Sequence, residues 1–164
     1  QGFIHITGRK KEIYVLSGGK NVAPLVVEET MKSIPVISQV FLVGDGRKFC
    51  SALVTLDVGV ILRDNLGMNP DKVPRDPMEQ IEELERRGHK LSEFVESEEV
   101  RSDIESQISE LNKRFMNPEQ IKKFTILPRD LNIDSGELTP TLKIRRKQIR
   151  ENWADEIEAM YSEA

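Results

Sequence analysis

The sequence predicts an α+β fold: an N-terminal β-hairpin, then a small, mainly antiparallel sheet of about three strands flanked by helices, with a helical insertion. Three observations carry that expectation. Two runs dense in β-branched and aromatic residues, ISQVFLV (Ile37–Val43) and FCSALVTL (Phe49–Leu56), flank the turn signal GDGRK. Between Glu98 and Phe115, apolar residues fall at Val100, Ile104, Ile108, Leu111 and Phe115, the spacing of an amphipathic helix. A last helix over about 143–161 places Ile149, Trp153, Ile157 and Met160 or Tyr161 on one face.

The remaining elements follow in chain order. Phe3–Ile6 and Glu12–Leu16 are short β-prone runs joined by TGRKK and read as a hairpin. SGGKN reads as a flexible loop, because glycine tolerates positive φ. Pro24 suits the first position of a helix that continues through PLVVEETMKSI. A short helix near 58–65, a proline-containing loop (MNPDKVPRDP) and a helix over about 77–87 fill the middle. EQIKKFTIL ends in a strand at about 124–127. The expected division is a hinge and hairpin over 1–16 and one C-terminal unit over 17–164, with the helical insertion at about 62–116. QGFIHITG, opening without Met, reads as the middle of a longer protein, with a vector-derived scar as the alternative.

Composition narrows the function classes. The 164 residues are 32% charged and 38% hydrophobic, suited to a polar-surfaced globular domain with one core. The net charge of −4 is uneven: residues 61–120 hold 15 acids against 9 bases, while the cations concentrate at the two ends, in GRKK and KIRRKQIR. A pI near 5.4 disfavours general nucleic-acid binding. No apolar run approaches the roughly 20 residues of a membrane span, and no signal peptide is visible. The single cysteine, Cys50, excludes an internal disulfide and reads as a buried, inert thiol. With two histidines far apart in sequence, no zinc or other metal site is expected: His5 reads as structural and His89 as a solvated helix cap. The acidic stretches EQIEELERR and ESEEVRSDIESQ read as solvated faces. These features place the chain in the cytoplasm, with peripheral membrane attachment left open.

Two cationic loops stand out. One is Gly8-Arg9-Lys10-Lys11 with Ser17-Gly18-Gly19-Lys20 soon after; the other is Thr139-Pro140-Thr141-Leu142-Lys143. Arg supplies a rigid fork for paired oxygens and Lys a compact point charge, the combination used on phosphates. Solvated surface loops are the alternative on pattern alone. The basic stretch KIRRKQIR also opens a helix that closes in acid, opposite to what a helix dipole favours.

GFIHITGRKKEIYVLSGGKNVAP resembles the signature at the junction of the two domains of the adenylate-forming superfamily, which includes acyl-CoA synthetases, adenylation domains and luciferases. GELTPTLKIRRKQI resembles the same superfamily's C-terminal signature. The resemblance spans nearly the whole chain and implies a C-terminal lid domain whose large N-terminal partner domain is absent here. It implies that Arg9 binds the ribose hydroxyls of ATP or AMP and that Lys11 is the hinge. It implies that Ser17, Gly18, Gly19 and Lys20 line the pantetheine tunnel of coenzyme A, and that Lys143 is the catalytic lysine of adenylate formation. ATP with Mg would be held mainly by the absent domain, and fatty acid, ATP and CoA would be the substrates.

Three departures accompany the resemblance: Lys11 where many members have Asp, Leu142 where many have Gly, and one extra residue in SGGKN. Together with TPTLK, EQIKKF and the acidic insertion, they resemble the long-chain fatty acyl-CoA synthetase branch. Two alternatives stay open: an acyl-AMP ligase that feeds a carrier protein, and a non-enzymatic module docking through the Glu98–Phe115 helix.

Overall fold

The computed structural model describes residues 12–162. The expected strand Phe3–Ile6, His5, Arg9 and Lys11 lie outside this range.

The fold is α+β, built on a three-stranded sheet of order β3-β4-β5. β3 (Ile37–Val43) and β4 (Cys50–Leu56) pair antiparallel as expected, with Phe41 opposite Leu53 and Leu42 opposite Ala52. β5 (Ile121–Ile126) starts earlier than expected and runs parallel to β4, so the sheet is mixed. The reason is the connection: the chain leaves β4 and returns only after the helical insertion, the crossover length that parallel neighbours require.

β4 is central and every one of its residues is buried, which is why its sequence shows no polar alternation. Side chains still divide by the period of two. Val40, Leu42, Ala52, Val54, Phe124 and Ile126 face one core, and Phe41, Val43, Leu53 and Leu127 face a second. The first core is covered by α1 (Pro24–Met31) and the insertion. That insertion comprises α2 (Val58–Val60, continuing as a wide turn to Asn65), α3 (Pro77–Arg86), α4 (Leu91–Val95) and α5 (Glu98–Asn112). Ser97 caps α5, its Oγ accepting from the Val100 N–H at 3.2 Å, and Glu98 and Glu99 complement the dipole in the first turn. Val100, Ile104 and Ile108 are buried, while Leu111 and Phe115 pack at the margin of the same core.

The second core is covered by the C-terminal segment, and here the expected single helix over 143–161 is corrected. The chain forms α6 (Arg146–Asn152) and α7 (Ala154–Ser162), separated at Trp153, whose backbone leaves helical geometry (φ −115°, ψ 28°). The break relieves only part of the inverted dipole that the sequence presented, since Arg146 and Lys147 still occupy the first turn of α6. Asp155 and Glu156 fall in the first turn of α7 and Arg150 in the last turn of α6, the favourable placements.

SGGKN is also corrected: it is an ordered turn. β1 (Tyr14–Val15) pairs antiparallel with β2 (Asn21–Val22) across it. The hairpin seen in the described residues is therefore formed by the second expected run and the segment after it. Cys50 is fully buried, and burial pushes its thiol up to about 11, in line with an inert side chain.

Candidate functional site

Lys143 sits at the end of a three-residue hairpin loop, ahead of the helix that was expected to contain it. The Thr139 N–H donates to the Lys143 carbonyl at 2.8 Å and the Leu142 N–H to the Thr139 carbonyl at 2.7 Å, with Leu138 bridged to Ile144 beneath. The Lys143 N–H donates to Thr139 Oγ1 at 3.0 Å. Proline fixes the first loop position, and the last demands a left-handed residue. That residue is Leu142, at φ +66°, the single non-glycine of positive φ among the described residues. For a leucine this conformation costs about 1–2 kcal/mol. Lys143 is exposed and makes no ion pair among the described residues, so its charge is free to meet an external anion.

Both legs of the hairpin stand on buried charge networks. On the ascending leg is Glu137, fully buried. Its carboxylate accepts from Arg129 Nη1 and Nη2 at 2.8 and 2.9 Å, from the Asn132 N–H at 3.1 Å, from Asn152 Nδ2 at 3.0 Å and from Trp153 Nε1 at 2.9 Å. Burial alone would raise its pKa, but the Arg129, Asn152 and Asn132 hydrogen bonds hold it below the usual carboxylate range. The bond to Trp153 ties the α6–α7 break to the lysine loop. The Glu137 carbonyl also accepts from the Arg145 N–H at 2.9 Å, closing the base of the hairpin.

On the descending leg is Arg146, 8% exposed. Its Nη1 and Nη2 donate to Glu28 Oε2 and Oε1 at 2.8 and 2.9 Å, and its Nε donates to Glu12 Oε1 at 2.7 Å. Nη1 also reaches the Tyr14 hydroxyl at 3.1 Å, and that hydroxyl donates to the Leu42 carbonyl at 2.8 Å. Burial opposes the Arg146 charge, but the Glu28 carboxylate more than offsets it and its pKa is raised. One guanidinium thus joins β1, α1 and the lysine hairpin.

The second candidate loop, Ser17–Lys20, is a tight turn. The Leu16 N–H donates to the Lys20 carbonyl and the Gly19 N–H to the Leu16 carbonyl, each at 2.8 Å. The Ser17 N–H donates to the Arg47 carbonyl at 2.8 Å, which rests the turn on the β3–β4 loop. Gly19 has φ +91°, a conformation that favours glycine. Gly18 does not have a positive φ, and a Cβ at either glycine would meet nothing within 4 Å. Among the described residues, nothing therefore requires glycine at position 18.

Both expected loops among the described residues are thus formed and exposed. Sequence reasoning missed Glu28, Glu137 and Arg146, the residues that hold the lysine loop. Spacing carried a signal for two of them. Arg146 precedes Ile149, Trp153, Ile157 and Met160 at helical intervals on the same buried face, and Glu28 shares the buried stripe of Pro24, Val27 and Met31.

Comparison with known proteins decides the family. The family model for the C-terminal domain of AMP-binding enzymes matches residues 11–93 and 84–164. The chain belongs to the AMP-binding enzyme C-terminal domain family. It is similar to the long-chain-fatty-acid–CoA ligase FadD15 of Mycobacterium tuberculosis, 37% identical over 166 residues, covering 98% of this chain and 24% of that protein. It is similar also to the long-chain-fatty-acid–CoA ligase ACSBG1 of Homo sapiens, 37% identical over 166 residues, covering 99% of this chain and 23% of that protein. The chain spans about a quarter of the length of these relatives. Among solved structures, the adenylation domain of a carboxylate reductase from Mycobacterium chelonae matches with a TM-score of 0.65 at 19% identity, covering 94% of this chain and 20% of that one. The A-PCP didomain of a carboxylic acid reductase from Segniliparus rugosus, solved in complex with AMP, matches with a TM-score of 0.64 at 18% identity, covering 93% and 18%. These structures share the fold of the AMP-binding enzyme C-terminal domain.

Proposed function

We propose that this chain is the mobile C-terminal domain of an AMP-forming long-chain fatty acid–CoA ligase. The observation that carries the reading is Lys143, which forms no ion pair among the described residues and stands on an exposed hairpin whose two legs are fixed by Glu137 and Arg146. A free cation on a rigid mount is what electrostatic stabilisation of a reacting phosphate requires. In the first half-reaction a carboxylate oxygen bonds to the α-phosphorus of ATP while the bond to pyrophosphate breaks. Lys143 meets the substrate carboxylate and the α-phosphate and offsets the charge that develops there. In the second, the thiol of CoA attacks the acyl carbonyl and AMP leaves.

The Ser17–Lys20 turn serves the second step. The freedom from intramolecular contact at Gly18 supports it, since a thin pantetheine arm needs backbone without side chains. Of the two glycines, Gly18 is our choice for the tunnel wall, because Gly19 has a conformational reason to be glycine. Arg9 is assigned to the ribose hydroxyls and Lys11 to the hinge on which the domain alternates between steps. The family match beginning at Lys11 supports a domain boundary there. Lys11→Pro in the full-length enzyme is expected to impair mainly CoA transfer by freezing that hinge; normal transfer would count against the assignment. We assign the Mg ion that accompanies ATP to the larger domain. No helix among the described residues is long and apolar enough to cross a membrane. We assign the enzyme to the cytoplasm or a membrane surface.

The test is Lys143→Ala in the full-length enzyme, followed by pyrophosphate release with a long-chain fatty acid and ATP. Loss of adenylate formation with the fold intact is expected; an unchanged rate would overturn the assignment of Lys143.

A further inference from the structure

Leu142 is unusual in two independent ways. It occupies the left-handed position of the lysine hairpin, where glycine would be unstrained, and its side chain is 65% exposed. Leu142 belongs to neither core cluster among the described residues, and the backbone beneath it is strained to hold it. The hairpin does not relax by folding the side chain inward, because Glu137 and Arg146 fix both of its legs. Strain of this kind persists where it serves a function. Leu142 is also the immediate neighbour of Lys143, on the same exposed hairpin tip.

From these observations we infer that Leu142 is a positioning residue for adenylate formation. Its side chain seats against the surface of the large domain that receives Lys143 and fixes the depth to which the lysine enters. The inference rests on the reading of the chain as the C-terminal domain of a fatty acid–CoA ligase. Leucine, unlike glycine, offers enough apolar surface to hold the hairpin tip in a dehydrated pocket.

The experiment compares Leu142→Gly, Leu142→Ala and Leu142→Met with the parent. Each variant is made in the full-length enzyme for kinetics and in the same enzyme for thermal unfolding. Glycine relieves the strain, so Leu142→Gly is expected to raise the unfolding temperature of the C-terminal domain. It is nonetheless expected to lower kcat for adenylate formation by about 10-fold, with KM for ATP unchanged and CoA transfer from supplied acyl-adenylate unchanged. Leu142→Ala, which keeps the backbone restraint, is expected to lose as much, and Leu142→Met is expected to retain activity within about twofold. Full adenylation activity in Leu142→Gly or Leu142→Ala overturns the inference. So does an equal fall in both half-reactions, or a Met variant as impaired as glycine. Lys143→Ala in the same assay separates the two levels: if it abolishes adenylation while the Leu142 variants do not, the enzyme assignment stands and the positioning role fails.

Discussion

Two exposed turns among the described residues, Ser17–Lys20 and Thr139–Lys143, solve the same geometric problem by opposite means. At Ser17–Lys20 a left-handed residue is supplied by Gly19 at no steric cost, and the support comes from the main chain, with the Ser17 N–H on the Arg47 carbonyl. At Thr139–Lys143 the left-handed residue is Leu142, and the support comes from buried side chains, a carboxylate below one leg and a guanidinium below the other. The first turn offers bare backbone and the second offers a charge at a fixed point. In our reading the difference matches their uses: passage of a flexible thiol arm needs clearance, whereas stabilising a charge that exists only in the transition state needs a rigid donor.

The largest effect should come from breaking the mount of the lysine turn. Arg146→Met leaves Glu28 buried without a counter-charge, and unfolding by denaturant should show a loss of roughly 3–5 kcal/mol. Breaking the Arg47–Glu158 pair beside the glycine turn from its exposed side, by Glu158→Gln, should leave the unfolding midpoint nearly unchanged. Comparable losses from the two substitutions would erase the contrast.

A smaller effect separates the two glycines. Gly19→Ala forces an L-residue into φ +91° and should cost about 1–2 kcal/mol by the same measurement. Gly18→Ala, with ordinary φ and open space, should be neutral to folding within about 0.5 kcal/mol.

The smallest effects are in pH. Glu137 is held below the usual carboxylate value, so its folded form binds protons less readily than its unfolded form. Its contribution is therefore complete above about pH 4.5 and lost as pH falls through the lower folded value. Glu137→Gln should flatten the acid limb of a stability–pH profile. Cys50 behaves oppositely in range: its raised pKa makes ionisation resist folding, so stability should decline between about pH 9 and 11, and Cys50→Ala should lessen that decline.

Much of this was legible in the sequence. The β3 and β4 runs and the α5 stripe declared themselves because burial imposes a period or an unbroken apolar run. The direction of β5 was not legible, since strand direction depends on where the crossover lands and not on composition. The C-terminal helix was misread for a similar reason. Its apolar face continues at helical spacing through Trp153, yet α6 ends there, where Asn152 and the Trp153 indole both donate to the distant Glu137. The lysine turn was legible as Thr-Pro-Thr, but its supports were not. Glu28, Glu137 and Arg146 look like surface charges until the chain brings them together from positions more than a hundred residues apart or across a helix break.

The most direct test of the central claim is a crossover in the full-length enzyme, measuring both half-reactions for Lys143→Ala and for a bulky Gly18→Leu. Adenylate formation is followed by pyrophosphate release, and CoA transfer is followed from supplied acyl-adenylate. Lys143→Ala should abolish the first and largely spare the second, and Gly18→Leu should do the reverse, with both proteins folded. If either substitution depresses the two half-reactions equally, the division of labour between the turns is contradicted.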